Sequence, residues 1–384
     1  MNLQFSTGLA IWSPSLPFND EQTPARPAAG PEERSVARLL ATILQRTQRR
    51  AHAIIPKAKL ENGEEVWVIA GRAWTAEEAA GAPQIQGCSR VAWGHADLGD
   101  NCKLEMHVMD QPAKRIIWEG AFDRPKSDLV SLFVVMARTL DATILPVRPP
   151  VANEMWLQQM PTRNSECLWH LLTAIDFRES LDLGIQIPDS TEAFVSLKSA
   201  LAADPKCAFA ASLLMGAAVR WVSNKKGDPQ PAMLALADAV SSRGDIPRFV
   251  AALAECELQL ENYDSALKHA KEYLSKSAGG NDAAHSEELL GRIYEKTGDV
   301  TNASSAFRRA VQLDPKRIVS WHQLGFLAAQ LNQWENAESC YMKCAELAPA
   351  NTEIQEKLKL VREELVKVRE RRGPLAPPGG HPAR

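Results

Sequence analysis

The chain has 384 residues and a formal net charge of −3, a length that sets an expectation of two or three domains, each able to bury its own core. The charge is spread evenly, so there is no basic footprint for nucleic acid. The longest apolar run, LVSLFVVMA from Leu129, is flanked by Asp128 and Arg138 and is too short to cross a bilayer.

In chain order, residues 9–18, LAIWSPSLPF, read as a strand broken at Pro17. No basic residue precedes this apolar part, so a secretion signal is not expected. The Pro/Ala-rich stretch NDEQTPARPAAGPEE then reads as a loop. Over 33–50, Val36, Leu39, Leu40, Ile43 and Leu44 recur with helical period. After a short apolar piece, HAIIP, the run EEVWVIAG (64–71) reads as a second strand. Thr75-Ala-Glu-Glu opens a short helix, since Thr75 and Glu78 stand at capping-box spacing. Three alternating runs, 89–98, 103–110 and 114–122, are separated by turn-rich segments and predict an antiparallel meander. A helix over 126–144 places Leu129, Leu132, Phe133, Met136 and Leu140 on one face. The Pro-rich LPVRPPV (145–151) is the natural boundary of a first domain spanning 9–147.

Beyond it nearly everything reads as helix. Residues 284–317 and 318–351 repeat one 34-residue pattern, in which Leu290 meets Leu324, Gly291 meets Gly325, Ala303 meets Ala337, Phe307 meets Tyr341 and Pro315 meets Pro349. The small residues let two helices approach closely. The large ones, with Tyr294 and Trp321, fill the space between hairpins, and each proline stops a second helix. This is tetratricopeptide spacing, and the half-chain resembles that family, whose members bind other proteins. Ala193, Leu197, Ala200 and Pro205 have the mutual spacing of Ala303, Phe307, Ala310 and Pro315, so 192–204 reads as the second helix of a divergent repeat. With 208–221 paired to 231–241 and 247–260 paired to 263–277, about five hairpins are expected over 152–351. In 352–372, Ile354, Leu358, Val361, Leu365 and Val368 are spaced four, three, four, three. That stripe suits a capping helix on the last hairpin, with a coiled-coil homodimer as the alternative. A disordered tail is expected over 373–384.

The first domain's order of strand, helix, strand, helix, three-stranded meander, helix resembles the amino-terminal domain of the TolB translocation protein. The residues that carry the resemblance are Leu16-Pro17-Phe18, GCSRVAWGHADL (87–98) and KLEMHVMDQPAKRIIWEGAFD (103–123), with Trp118 and Phe122 in the last strand. Ser15 and the loop after Asn19 depart from the family pattern. The resemblance implies a sandwich-type α/β domain and hence an α+β chain overall. It also implies bacterial company, because such domains precede tetratricopeptide repeats in bacterial regulators. Those regulators carry a DNA-binding winged helix that this sequence lacks, so gene regulation does not follow.

Catalytic chemistry finds little support. His95 and His107, with Asp97 and Asp110 nearby, could be metal ligands, but no HxxxH, HExxH or Cys/His cluster accompanies them, and the preferred reading is two sheet histidines. The seven cysteines, Cys88, Cys102, Cys167, Cys207, Cys256, Cys340 and Cys344, form no CxxC pair and read as reduced core thiols. No GxSxG or phosphate-binding glycine loop occurs. Trp67, Trp74, Trp93 and Trp118 read as packing residues rather than stacking platforms. The expectation is therefore a non-enzymatic cytoplasmic adaptor without catalytic residues, cofactor, metal, nucleic-acid partner or membrane span. The family's groove positions transfer to His285, Glu288, Arg292, Glu295 and Lys296 in one copy, and to Val319, His322, Phe326, Ala329 and Gln330 in the next. The alternative is a sensor whose α/β domain binds a small ligand and signals through the repeats.

Overall fold

The computed structural model describes residues 8–12, 35–36, 39–40, 43, 51–54, 57–59, 65–67, 76–80, 88–110, 112–144, 153–182, 190–225, 227–277 and 279–372. It divides into two compact units, 1–239 and 240–384. The linker at 145–151, the Leu16-Pro17-Phe18 motif, Trp74 and the tail over 373–384 lie outside the described residues.

In the first unit, β1 (Gly8–Trp12), β2 (Ala51–Ile54), β5 (Cys88–Leu98), β6 (Asn101–Asp110) and β7 (Arg115–Pro125) form one sheet in the order β2-β1-β5-β6-β7. β1 is parallel to both of its neighbours, and β5, β6 and β7 are the antiparallel meander. Successive strand side chains point to opposite faces. Cys102, Leu104, Met106 and Val108 of β6 are accordingly buried while Lys103 and Glu105 are exposed. Helix α2 (Leu129–Ile144) packs on β6 and β7 and buries Leu129, Leu132, Phe133, Met136 and Leu140, the face its periodicity foretells.

The strand pairing departs from expectation at one point. The second strand of the sheet is β2, from the short apolar piece, and not 64–71. The described residues of that run are β4 (Glu65–Trp67), which pairs antiparallel with β3 (Lys57–Lys59) in a separate two-stranded sheet. Alternation identifies a strand without naming its partner. A neighbour a few residues upstream closes a shorter loop than one across the sheet, at less entropic cost. A short helix, α1 (Ala76–Ala80), follows.

The unit continues through α3 (Asn153–Gln159), α4 (Ser165–Asp182), α5 (Thr191–Ala203), α6 (Ala208–Asn224) and the greater part of α7 (Gln230–Ser242). α3 and α4 lie within the stretch expected to be helical, without a periodicity that singles either out. α4 supplies the first helix of the divergent hairpin whose second is α5, and α6 packs on both. Ala193, Leu197 and Ala200 are buried, as are Ala303, Phe307 and Ala310 at the corresponding spacing.

The second unit holds α8 (Pro247–Gln259), α9 (Tyr263–Lys276), α10 (Gly280–Lys296), α11 (Val300–Leu313), α12 (Ile318–Gln330), α13 (Trp334–Leu347) and α14 (Thr352–Arg372), each packed on the next. Three of its hairpins turn by one device. Glu261, Gly298 and Asn332 adopt left-handed φ values of 64°, 80° and 56°. After them Asn262 N–H donates to Glu257 O, Asp299 N–H to Tyr294 O and Gln333 N–H to Ala328 O, at 2.9, 2.8 and 2.8 Å. These are Schellman closures, which satisfy the last carbonyls of each first helix. The returning helix then lies close. A Cβ on Gly291 would stand 2.7 to 2.9 Å from the Phe307 ring, and one on Gly325 3.1 to 3.2 Å from Tyr341. Ala303 and Ala337 are fully buried. Leu290 and Tyr294 belong to the packing shared by α8, α9 and α10, while Leu324 joins Phe307 and Leu327. Pro315 and Pro349 sit exposed just past the ends of α11 and α13. On α14, Ile354, Leu358, Val361 and Leu365 are buried, the latter three against Ala328, Ala337 and Tyr341.

Among the described residues no helix is long and apolar enough to cross a membrane.

Two outcomes follow for stability, both readable by urea unfolding. Glu261→Gly should stabilise by about 1 kcal/mol, because glycine removes the left-handed penalty, whereas Gly298→Ala should cost a similar amount. Gly291→Ala should cost about 1–3 kcal/mol through overpacking against Phe307, and more than Gly325→Ala. Equal effects at 291 and 325 would contradict the difference in clearance.

A candidate protein-binding face

The first helices of the repeats carry the residues expected to meet a partner, and the structure sorts these into three kinds. Some tie one repeat to the next. Arg292 Nη1 reaches Glu255 Oε2 of α8 at 2.7 Å. Glu288 is only 9% exposed. It accepts from Ser320 Oγ at 2.7 Å and from Arg317 Nη1 at 3.1 Å, both across the turn into α12. Arg317 also donates to Asn281 Oδ1 at 3.2 Å, and Arg248 pairs with Asp282 at 2.8 Å. These side chains set repeat register, and removing one partner leaves the other charge partly desolvated.

A second group is half-buried and titratable. His285 stands edge-on to Tyr273 with ring centroids 5.7 Å apart, and the Tyr273 hydroxyl lies 3.3 Å from its Nδ1. Burial, reinforced by the Arg317 charge, holds the His285 imidazolium below its ordinary range. Burial likewise pushes the Tyr273 phenol up to about 12. Glu295 is raised by burial, partly countered by the charges of Lys296, Arg292 and His322. His322 stacks edge-on against Tyr341 at 5.5 Å.

The third group is open. Lys296 and Gln330 are exposed, and Ala329 is half-buried. Val319 is 51% and Phe326 37% exposed. One repeat length further along from Phe326 stands Leu360 of α14, 57% exposed. Leu360 is not among the groove positions transferred from the family, although the same 34-residue step that relates Arg292 to Phe326 leads to it. Trp321 is turned aside, donating its indole N–H to Pro315 O at 3.0 Å. The face is thus ion-paired over α8 and α10 and apolar at single exposed points on α12 and α14. A chain laid across it would find fixed charges and two or three apolar seats.

Other candidates fall elsewhere. His107 stacks on Trp93 at 5.2 Å and lies 3.6 Å from Glu119, while His95 is paired in register with Glu105. Among the described residues neither belongs to a cluster of metal-ligating side chains. Trp93 is buried, and Trp118 stacks on Phe122 at 5.9 Å. Burial pushes the thiols of Cys256 and Cys344 up to about 12 and also raises that of Cys340, which keeps them protonated and inert. The remaining pair differs. Cys167 and Cys207, far apart in sequence, meet in the first unit, where a hydrogen bond from Cys167 lowers the Cys207 thiol and correspondingly raises Cys167.

The fold of the second unit defines a helical-repeat scaffold of the kind that carries binding surfaces. Residues 288–317 and 318–351 match the family model described as tetratricopeptide repeat, so these two hairpins are tetratricopeptide repeats. The chain is also similar to solved structures. Yeast Tom70 is 17% identical over 65% of this chain and 56% of its own length, with a TM-score of 0.40. A thermophilic tetratricopeptide repeat protein of Thermus thermophilus is 17% identical over 50% of this chain and 95% of its own, at 0.37. YrrB, described as having an unusual peptide-binding site, is 17% identical over 52% and 93%, at 0.36.

The environment of His285 generates a pH dependence. A histidine held neutral in the fold contributes stability that is fully present above its unfolded value, near 6.5, and is lost as the pH falls through the depressed folded value. The unfolding midpoint of the wild-type chain should therefore drop more steeply from pH 7 to pH 5 than that of His285→Gln. Parallel profiles would show that the imidazole does not titrate differently in the two states.

Proposed function

We propose that this protein is a non-enzymatic adaptor that binds a partner protein or peptide along the first-helix face of its repeats, centred on Phe326. The observation that carries this reading is the exposure of Val319 and Phe326 on α12 and of Leu360 on the capping helix α14, with charged side chains of α10 already locked by ion pairs. Preset side chains lose little conformational entropy when a ligand docks. The partner-contacting set is His285, Glu288, Arg292, Glu295, Lys296, His322, Phe326 and Gln330, with Val319 and Leu360 added. Within it Glu288 and Arg292 act mainly by positioning their neighbours.

In this reading the chain comprises a TolB-like α/β domain over 9–147, repeat hairpins over 152–351 and a capping helix over 352–372, and it works in the cytoplasm. Support for the TolB-like assignment remains the order of its elements and the meander motifs. The buried stripe of α14 favours the cap. Self-association through 352–372 would have to use its outer side, where Leu360 and Val366 are exposed.

The test is affinity capture from the native host, with the full chain against Phe326→Ser and Val319→Ser. A genuine partner should be lost from both variants, with affinity falling about tenfold or more for Phe326, while thermal unfolding stays unchanged. Capture by residues 1–147 and not by 150–372 would move the function to the first domain. Removing α14 by ending the chain at Asn351 should leave the sedimentation mass per chain monomeric and lower stability by several kcal/mol, given about 1.5–3 kcal/mol for each buried aliphatic side chain. A drop from dimer to monomer on that truncation would instead establish α14 as the dimer interface.

A further inference from the structure

Two turns of the first unit are clasped together where α4 begins and α5 ends. Thr162 Oγ1 donates to Asp204 Oδ2 at 2.5 Å, and Asn164 Nδ2 donates to Ala203 O at 2.9 Å. Asn164 Oδ1 in turn accepts from the Cys167 amide at 3.0 Å. The Asp204-Pro205-Lys206 turn is closed by the Lys206 amide donating to Asp204 Oδ1 at 3.1 Å. An identical turn occurs at Asp314-Pro315-Lys316, where Lys316 N–H donates to Asp314 Oδ1 at 3.0 Å. The aspartate is therefore a repeat-turn residue first. What differs is the next position: Arg317 follows the later turn, and Cys207 follows the earlier one.

Cys207 caps α6, its sulfur accepting from the Ala210 amide at 3.4 Å and lying 3.4 Å from Pro161 O. Cys167, one turn into α4, brings a second sulfur to the same place. The Cys167 and Cys207 sulfurs and an Asp204 carboxylate oxygen all lie within 4.8 Å of one another, both thiols buried and the carboxylate half-buried. Around a tetrahedral ion with bonds of roughly 2.0 to 2.3 Å, such donors stand about 3.5–3.8 Å apart, so a shift of the order of 1 Å would bring all three into range. Asp204-x-x-Cys207 also has the two-residue spacer of a metal-binding knuckle, with a backbone amide already directed at the sulfur.

We propose that Cys167, Asp204 and Cys207 form a binding site for a thiophilic divalent cation of the zinc class, with Thr162 orienting the carboxylate. Two sulfurs and one oxygen favour such an ion over magnesium or calcium, which take oxygen donors. Binding would release the two thiol protons to solvent, and the fourth position would fall to water or the Pro161 carbonyl. The ion would pin the divergent hairpin to the following helix, a structural role independent of the partner-binding face.

The full chain, reduced and stripped with a chelator, would be titrated with Co²⁺ as the probe and then with Zn²⁺. One equivalent of Co²⁺ should produce thiolate-to-cobalt charge-transfer absorption that Zn²⁺ abolishes. Thr162→Val and Asp204→Asn should weaken Co²⁺ binding about tenfold or more, and Cys207→Ser should remove the absorption. In the wild-type chain Zn²⁺ should slow iodoacetamide modification of Cys167 and Cys207, mapped by mass spectrometry, and leave Cys340 unaffected. That readout does not depend on whether a variant folds. Absence of the absorption at one equivalent, its persistence in Cys167→Ser and Cys207→Ser, or recovery of a Cys167–Cys207 disulfide from protein isolated without reductant would each overturn the proposal.

Discussion

The structure of the repeat half depends on how near one helix can come to the next. In each regular hairpin a glycine on the first helix receives an aromatic ring from the second, Phe307 against Gly291 and Tyr341 against Gly325. Contact of that kind holds only if the chain turns back sharply, and the left-handed residues at 261, 298 and 332 supply the turn while closing the helix end. Interior packing is dense enough that neither component tolerates much change without the other. Once helices are held this close, side chains such as Arg292 and Glu288 can reach into the neighbouring repeat, and the ion pairs that set register follow from the packing.

The proposed binding face consists of what register leaves over. A solenoid buries most apolar side chains between its hairpins, and Phe326 and Leu360 are among those it leaves exposed. Phe326 stands where Arg292 stands one repeat earlier, and Leu360 stands one repeat later. The same backbone position thus carries a locked charge, then a ring, then an aliphatic chain. Such a gradient would select a partner by matching an apolar side chain at one end and polar groups at the other.

The first unit shows the same repeat grammar put to another use. Its Asp-Pro-Lys turn is matched in hydrogen bonding by the later one, yet a cysteine takes the place of the arginine and meets a second cysteine from α4. Where Arg317 spans repeats through Glu288, Cys207 reaches the Pro161 carbonyl and the Cys167 sulfur. A turn built for helix termination has become a place where sulfur chemistry can occur.

The amino-acid sequence by itself determined the helices of 191–372, the repeat period, the close-contact glycines and the meander, because each is written in local periodicity or in a single fixed offset. It also indicated that the stripe of α14 was apolar. Tertiary structure alone decided which strand joins β1, because alternation carries no information about partners, and which groove residues are engaged, because the bonds of Glu288 and Arg292 run to residues a whole repeat away. The meeting of Cys167 with Cys207 was hidden for the same reason. Their proximity is created by the antiparallel return of α5 along α4, a long-range contact that no spacing between the two residues announces.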